Sequence, residues 1–171
     1  QPKILSHDEK IKIANEKIAE AKTTSTEYTA LFEKYRIQYV DQTVNQELKK
    51  YEDQGAGIRQ QIEDLEQNKP MLFGKKDWQE QREKLVQQHQ EIRYLHERTK
   101  TTERTQRLHD PRFGREVVIK HIEKHHPDLS ENYKKAQEFL QALAQLREHK
   151  RQQEIEKDKV KQKDKDDDRD H

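Results

Sequence analysis

Val44–Leu65, VNQELKKYEDQGAGIRQQIEDL, is the stretch whose reading decides the fold. Val44, Leu48, Tyr51, Gly55, Ile58, Ile62 and Leu65 follow one another at alternating spacings of four and three. That repeat keeps an apolar seam on one side of a helix and turns it toward a partner helix. Gly55 falls on the seam and Gly57 lies beside it, and each costs about 1 kcal/mol against alanine inside a helix. The unbroken register predicts that the helix continues through them; a short turn splitting two helices is the alternative.

Downstream, Asn68-Lys69-Pro70 ends this helix, because proline disfavours helical geometry in the residue before it. Met71 to Lys76 form a connector, and Asp77 is the expected cap of the next helix. The seam of that helix reads Trp78, Arg82, Leu85, His89, Ile92 and His96, with Leu95 adding to the apolar side. A connector this short makes its flanking helices antiparallel neighbours. Residues from about 40 to 107 are therefore expected to form a coiled-coil hairpin, with Pro70, Met71, Leu72, Phe73, Gly74 and Trp78 at its tip. Met71, Leu72, Phe73 and Trp78 are expected to plug that tip.

Upstream, Ser6-His7-Asp8-Glu9 has the form of a capping box and predicts a helix start. Ile11, Ala14, Ile18 and Ala21 mark a buried stripe. Thr23-Thr24-Ser25-Thr26 predicts a weak break, and Tyr28, Leu31, Phe32, Tyr35 and Tyr39 then form an aromatic face. Toward the other end, Asp110-Pro111 is expected to open a further helix, with Pro111 at an early helical position. That helix carries Val117 to Ile122 and stops at His125-His126-Pro127. Asp128 or Ser130 should cap a last amphipathic helix with Tyr133, Ala136, Phe139, Leu140, Leu143 and Leu146 on its stripe. Residues 1–153 thus read as one helical module, the hairpin followed by helices at about 111–153. Residues 154–171 read as a charged tail, helix fraying into disorder.

Composition supports an all-α, elongated helical bundle and excludes several function classes. Only 29% of the 171 residues are hydrophobic and 40% are charged, too little apolar material for a thick globular core. The 35 basic residues nearly cancel 34 acidic ones, which favours paired helical faces over a self-repelling coil. With no cysteine, disulfides and thiolate metal sites are out, and a cytoplasmic location is expected. No apolar run approaches the roughly 18 residues of a membrane span, so no membrane insertion is expected. The first residue is Gln1 rather than Met, which suggests a processed product or a segment of a longer protein.

Chemistry-bearing patterns are sparse. His121 and His125 stand one helical turn apart, a chelating spacing, but Glu123 projects elsewhere, so the better reading is a basic helix end and no metal is expected. His89 and His96 read as register-setting seam residues. Every carboxylate has basic neighbours, the glycines form no phosphate loop, and Ser6, Ser25 and Ser130 form no nucleophile elbow. The expectation is therefore no catalytic residue, no cofactor and no small-molecule substrate. Between positions 98 and 126, Arg98, Lys100, Arg104, Arg107, Arg112, Arg115, Lys120 and Lys124 outnumber Glu103, Asp110, Glu116 and Glu123. Those eight cations are the candidate DNA contacts, a sequence-independent electrostatic mode of binding, with an ordinary solvated face as the alternative.

The connector Lys69-Pro70-Met71-Leu72-Phe73-Gly74-Lys75-Lys76-Asp77-Trp78-Gln79-Glu80-Gln81 resembles a Pro-x-Leu-Phe-Gly-x-x-x-Trp linker between long helices in the C-terminal regions of conjugative relaxases of the MobA/MobL type. The resemblance covers these thirteen residues and the flanking hairpin. It implies an accessory recognition domain of a plasmid mobilisation protein, docking the type IV secretion coupling machinery and carried with its parent toward a recipient cell. No relaxase catalytic residue carries over, since neither the nucleophilic tyrosine nor the metal-binding histidine cluster has a counterpart. A free-standing coiled-coil scaffold that self-associates is the alternative reading.

Overall fold

A computed structural model describes residues 2–170, and they form an all-α helical bundle. The helices are α1 (His7–Gln67), α2 (Lys75–Arg98), α3 (Arg104–His109), α4 (Arg115–His125) and α5 (Pro127–Arg169). Between α2 and α3 the chain continues without a break through a π-helical turn, Thr99–Glu103. The contacts divide the chain into two compact units, one of Glu33–Ile119 and one made of the residues up to Phe32 and from Lys120 onward.

α1 starts at the expected capping box. The Ser6 amide donates to Glu9 Oε2 at 3.1 Å and the Glu9 amide to Ser6 Oγ at 3.2 Å. The expected break at Thr23–Thr26 does not occur. Thr23 and Thr26 donate their hydroxyls to the carbonyls of Ala19 and Lys22 one turn back, so these side chains join the helix instead of competing with it. The helix also runs through Gly55 and Gly57, as the register predicts.

In the Glu33–Ile119 unit, α1 pairs antiparallel with α2 and α3. The rungs are Trp78 on Leu65, Arg82 on Glu66, His96 on Glu52, Arg104 on Asp41 and Arg107 on Glu47. From the first two rungs to the last two, the α1 partner falls from 65–66 to 41–47 as the other rises from 78–82 to 104–107. All six predicted α2 seam residues are half-buried, whereas Leu95 is exposed and lies off the seam. The π turn explains a further departure. Continued at four and three, the seam passes Thr99, Glu103 and Gln106. The extra residue of the π turn rotates the face by about 100°, so that Arg104, Arg107 and Leu108 are half-buried and Gln106 is exposed.

Where the hairpin closes, α1 meets the end of α3 through a buried arginine. Arg36, 7% exposed, donates from Nη1 to the carbonyls of Arg107 (3.1 Å) and Asp110 (3.2 Å) and from Nη2 to that of Leu108. Glu33 accepts from the same guanidinium at 3.3 and 3.4 Å. Three carbonyls at a helix end, at the negative pole of its dipole, thus share one cation, while that of Asp110 also accepts from the Phe113 amide at 3.2 Å. Beside it, Arg107 makes a two-pronged bond to Glu47 at 2.7 and 2.9 Å and lies over the Phe113 ring. Phe113 packs on Tyr39.

Asp110–Gly114 is a turn, so α4 begins at Arg115 and not at Pro111. The Arg112 amide bonds to Asp110 Oδ1, which fixes a non-helical start, and Gly114 takes φ +73°. A Cβ on Gly114 would stand 2.5 Å from Tyr39 Cδ1, so glycine is required there for shape and for backbone conformation.

In the second unit Tyr28 stacks on Tyr133 with ring centroids 3.8 Å apart, Ser25 accepts from Gln137 at 2.8 Å, and Ala21, Tyr28, Ile122 and Ala136 are buried. The expected stripes extend past this core. Ile11, Ala14, Phe139 and Leu146 are exposed, because the pairing of α1 with α5 supplies no third layer to cover them. α5 starts with Pro127 at its first turn and His126 as N-cap, in place of the expected Asp128 or Ser130 cap. Proline is preorganised for that position and lacks only an N–H that would be unpaired. The described part of the charged tail, 154–170, is exposed throughout and helical to Arg169, held by its straight charged side chains and not frayed into disorder.

Replacing Arg36 by methionine keeps the side-chain length but removes every donor, taking from the Arg107 and Leu108 carbonyls the guanidinium they bond to and from Asp110 one of its two donors. The expected loss is about 3 kcal/mol of unfolding free energy, read from the urea midpoint. Arg36→Lys should recover less than half of it, since one ammonium lacks the planar fork that reaches three acceptors.

Candidate functional site

The hairpin tip is built from residues that fold it and residues that do not. α1 ends with the Asn68 amide on the Leu65 carbonyl (3.3 Å) and the Asn68 side chain on the Asp64 carbonyl (2.8 Å). Pro70 is half-buried, and Gly74 takes φ +81°, a left-handed conformation that L side chains resist. Gly74, and not Asp77, is the N-cap of α2. Trp78 then locks the two helix ends together, its Nε1–H donating to the Leu65 carbonyl at 2.7 Å while the Lys69 ammonium lies 5.2 Å above its ring. The Leu65 carbonyl is among the last on α1, so the indole caps one helix from the start of the other.

The expected plug is corrected by the remaining three residues. Met71, Leu72 and Phe73 are 87%, 83% and 89% exposed; only Trp78 packs. A three-residue bend is too short to fold its side chains back, and the indole already fills the junction they would cover. Around them stand Lys69, Lys75, Lys76 and Asp77, all exposed. The tip is therefore a convex apolar knob on a fixed base, with a mainly cationic collar.

Farther along the hairpin lies an open groove of about 340 Å³ with largely apolar walls, lined among others by Tyr51, Gly55, Ile92 and His96. His96 Nε2 sits 3.2 Å from Glu52 Oε1. Glu97, Arg59 and Arg93 complete a rim of mixed charge.

The candidate DNA-contacting cations differ in their pairing and are divided between the two units. Arg98 lies 3.6 Å from Glu103, and Arg104 and Arg107 bind Asp41 and Glu47 across the hairpin. The hydrogen bond that Arg104 donates to Asp41, aided by the carboxylate's charge, raises the Arg104 pKa above its usual value. Lys100, Arg112 and Arg115 are exposed in the hairpin unit, and Lys120 and Lys124 are exposed in the other. His121 and His125 face each other with ring centroids 4.4 Å apart, and among the described residues no cluster of three metal-ligating side chains occurs. Nor, among them, does any buried side-chain nitrogen or oxygen lack a hydrogen-bond partner. No helix among them is long and apolar enough to cross a membrane.

Sequence reasoning missed Arg36 and the groove. A signal for Arg36 existed: it follows Phe32 by four and precedes Tyr39 by three, a charged residue on an aromatic face. The groove had one too, a glycine on a seam.

Trp78→Phe keeps one aromatic ring but deletes the N–H together with the five-membered ring of the indole. It should lower stability by about 1 kcal/mol and speed amide exchange at the tip, measured by urea titration and hydrogen–deuterium exchange.

No family model, no curated protein and no solved structure matches the chain.

Proposed function

We propose that the chain is a non-enzymatic helical recognition module of a plasmid mobilisation protein, whose hairpin tip docks a protein of the type IV secretion coupling machinery. The observation that carries this reading is the exposed Met71-Leu72-Phe73 knob. Within the Pro-x-Leu-Phe-Gly-x-x-x-Trp connector, three residues have a folding role: Pro70 ends α1, Gly74 permits the left-handed turn and Trp78 joins the helices. Leu72 and Phe73, the other two side chains of the pattern, have none. Three large apolar side chains held in water lose the favourable transfer energy of burial, about 1.5–3 kcal/mol each, until a partner covers them.

A base already ordered by Trp78 and Gly74 lowers the entropy lost when the knob is captured. The collar of Lys69, Lys75 and Lys76 favours a partner surface with carboxylates beside an apolar pocket, and it makes association salt-dependent. Cytoplasmic residence before transfer, and passage to the recipient with the parent protein, follow from the same reading. DNA contact has less support, since Arg98, Arg104 and Arg107 are already paired with carboxylates.

The test is calorimetric titration of the full chain into the purified cytosolic domain of a type IV coupling protein. Wild type should bind, and Leu72→Ser with Phe73→Ser should weaken binding at least tenfold, about the effect of losing one buried apolar side chain. Absence of binding by wild type, or binding unchanged by the two substitutions, would overturn the reading.

A further inference from the structure

His121 and His125 stand one turn apart on α4 and are both exposed, while Ile122, next to His121, is fully buried. The buried side chain anchors this turn, and the His126 amide closes it by donating to the Ile122 carbonyl at 2.7 Å. The two imidazoles are thus carried on a fixed piece of helix. Their ring centroids lie 4.4 Å apart, with the planes inclined at 46°. Spacing alone reads as a basic helix end; the ring separation adds a second, geometric statement. A metal–nitrogen bond of about 2.0 Å, with about 1.1 Å more from that nitrogen to the ring centre, puts each centroid about 3.1 Å from a shared ion. Two rings bound at the right angle of a tetragonal site then have centroids about 4.4 Å apart, and at the tetrahedral angle about 5.1 Å. The observed separation matches the tetragonal arrangement.

We propose that His121 and His125 chelate a divalent copper ion, with water in the two remaining equatorial positions. Imidazole suits copper, nickel and zinc, and among first-row dications copper binds a given nitrogen site most tightly and favours the tetragonal geometry. A structural zinc site wants four protein ligands, whereas among the described residues no third ligating side chain joins this pair. Lys120 and Lys124 on the same helix are offset by Glu116 and Glu123, so the local charge does not repel a dication. Once one imidazole has bound, the other is held beside the ion at high effective concentration, which is the source of the affinity. Two protein ligands leave the ion exchangeable and leave positions where a donor from another molecule can enter. The site is on α4, away in sequence from the hairpin tip, and does not rest on the docking proposed there.

Calorimetric titration of the full chain with copper(II) chloride, in a buffer that does not bind copper, tests this together with electron paramagnetic resonance of the product. The wild type should bind one ion with a dissociation constant of about 10 µM or tighter, and the spectrum should be tetragonal with hyperfine splitting from two imidazole nitrogens. His121→Asn and His125→Asn should each weaken binding at least tenfold, with helical content checked by circular dichroism; both positions are exposed, so the fold should persist. Lys120→His combined with His125→Asn restores the number of histidines at a position that does not face His121. It also removes a positive charge, which favours a cation, so binding that stays weak isolates the geometry of the pair. No saturable site up to about 100 µM copper, binding indifferent to either single substitution, or wild-type affinity in the relocated variant would overturn the inference.

Discussion

The guanidinium of Arg36 is the contact on which the hairpin unit depends. A hairpin of two amphipathic helices buries little, and most of this seam is only half-covered. What fixes its open end is one buried cation shared by three carbonyls at the end of α3, with Glu33 balancing its charge. Arg107, whose carbonyl is one of the three, binds Glu47 and covers Phe113, and Phe113 holds Tyr39 against the tight turn at Gly114. Polar and aromatic contacts here do what a larger apolar core does elsewhere. That suits a chain with 29% hydrophobic residues.

At the other end the indole of Trp78 performs the same task on a smaller scale, placing an N–H on a carbonyl near the end of α1. With both ends closed by hydrogen bonds to helix-terminal carbonyls, Met71, Leu72 and Phe73 are left outside the fold. A docking element requires this separation: residues that can be changed or captured without unfolding what presents them.

Much of the helical architecture was legible in the sequence, because spacing alone reports which face of a helix meets another. The four-three seams of Val44–Leu65 and Trp78–His96 placed the hairpin arms, and Ser6 with Glu9 placed the start of α1. Effects that cancel between neighbours were not legible. Thr23 and Thr26 look like helix breakers until their hydroxyls find carbonyls one turn back. The π turn at Thr99–Glu103 inserts a residue that no periodicity announces. Pro111 and Pro127 carry the same signal, yet one lies in a turn fixed by Asp110 and the other starts α5. The tip was located correctly but turned inside out, because apolar composition reports the capacity for burial and not whether a partner within the chain is near enough to provide it.

The central claim is that the apolar tip lies outside the fold, and thermal unfolding tests it most directly. Leu72→Ser combined with Phe73→Ser, compared with wild type at about 1 µM so that association contributes little, should leave Tm within about 1 °C, because no packing is lost. If these side chains were part of the core, removing them would cost about 3–6 kcal/mol, and Tm would fall by roughly 8 °C or more. A fall of that size would contradict the account.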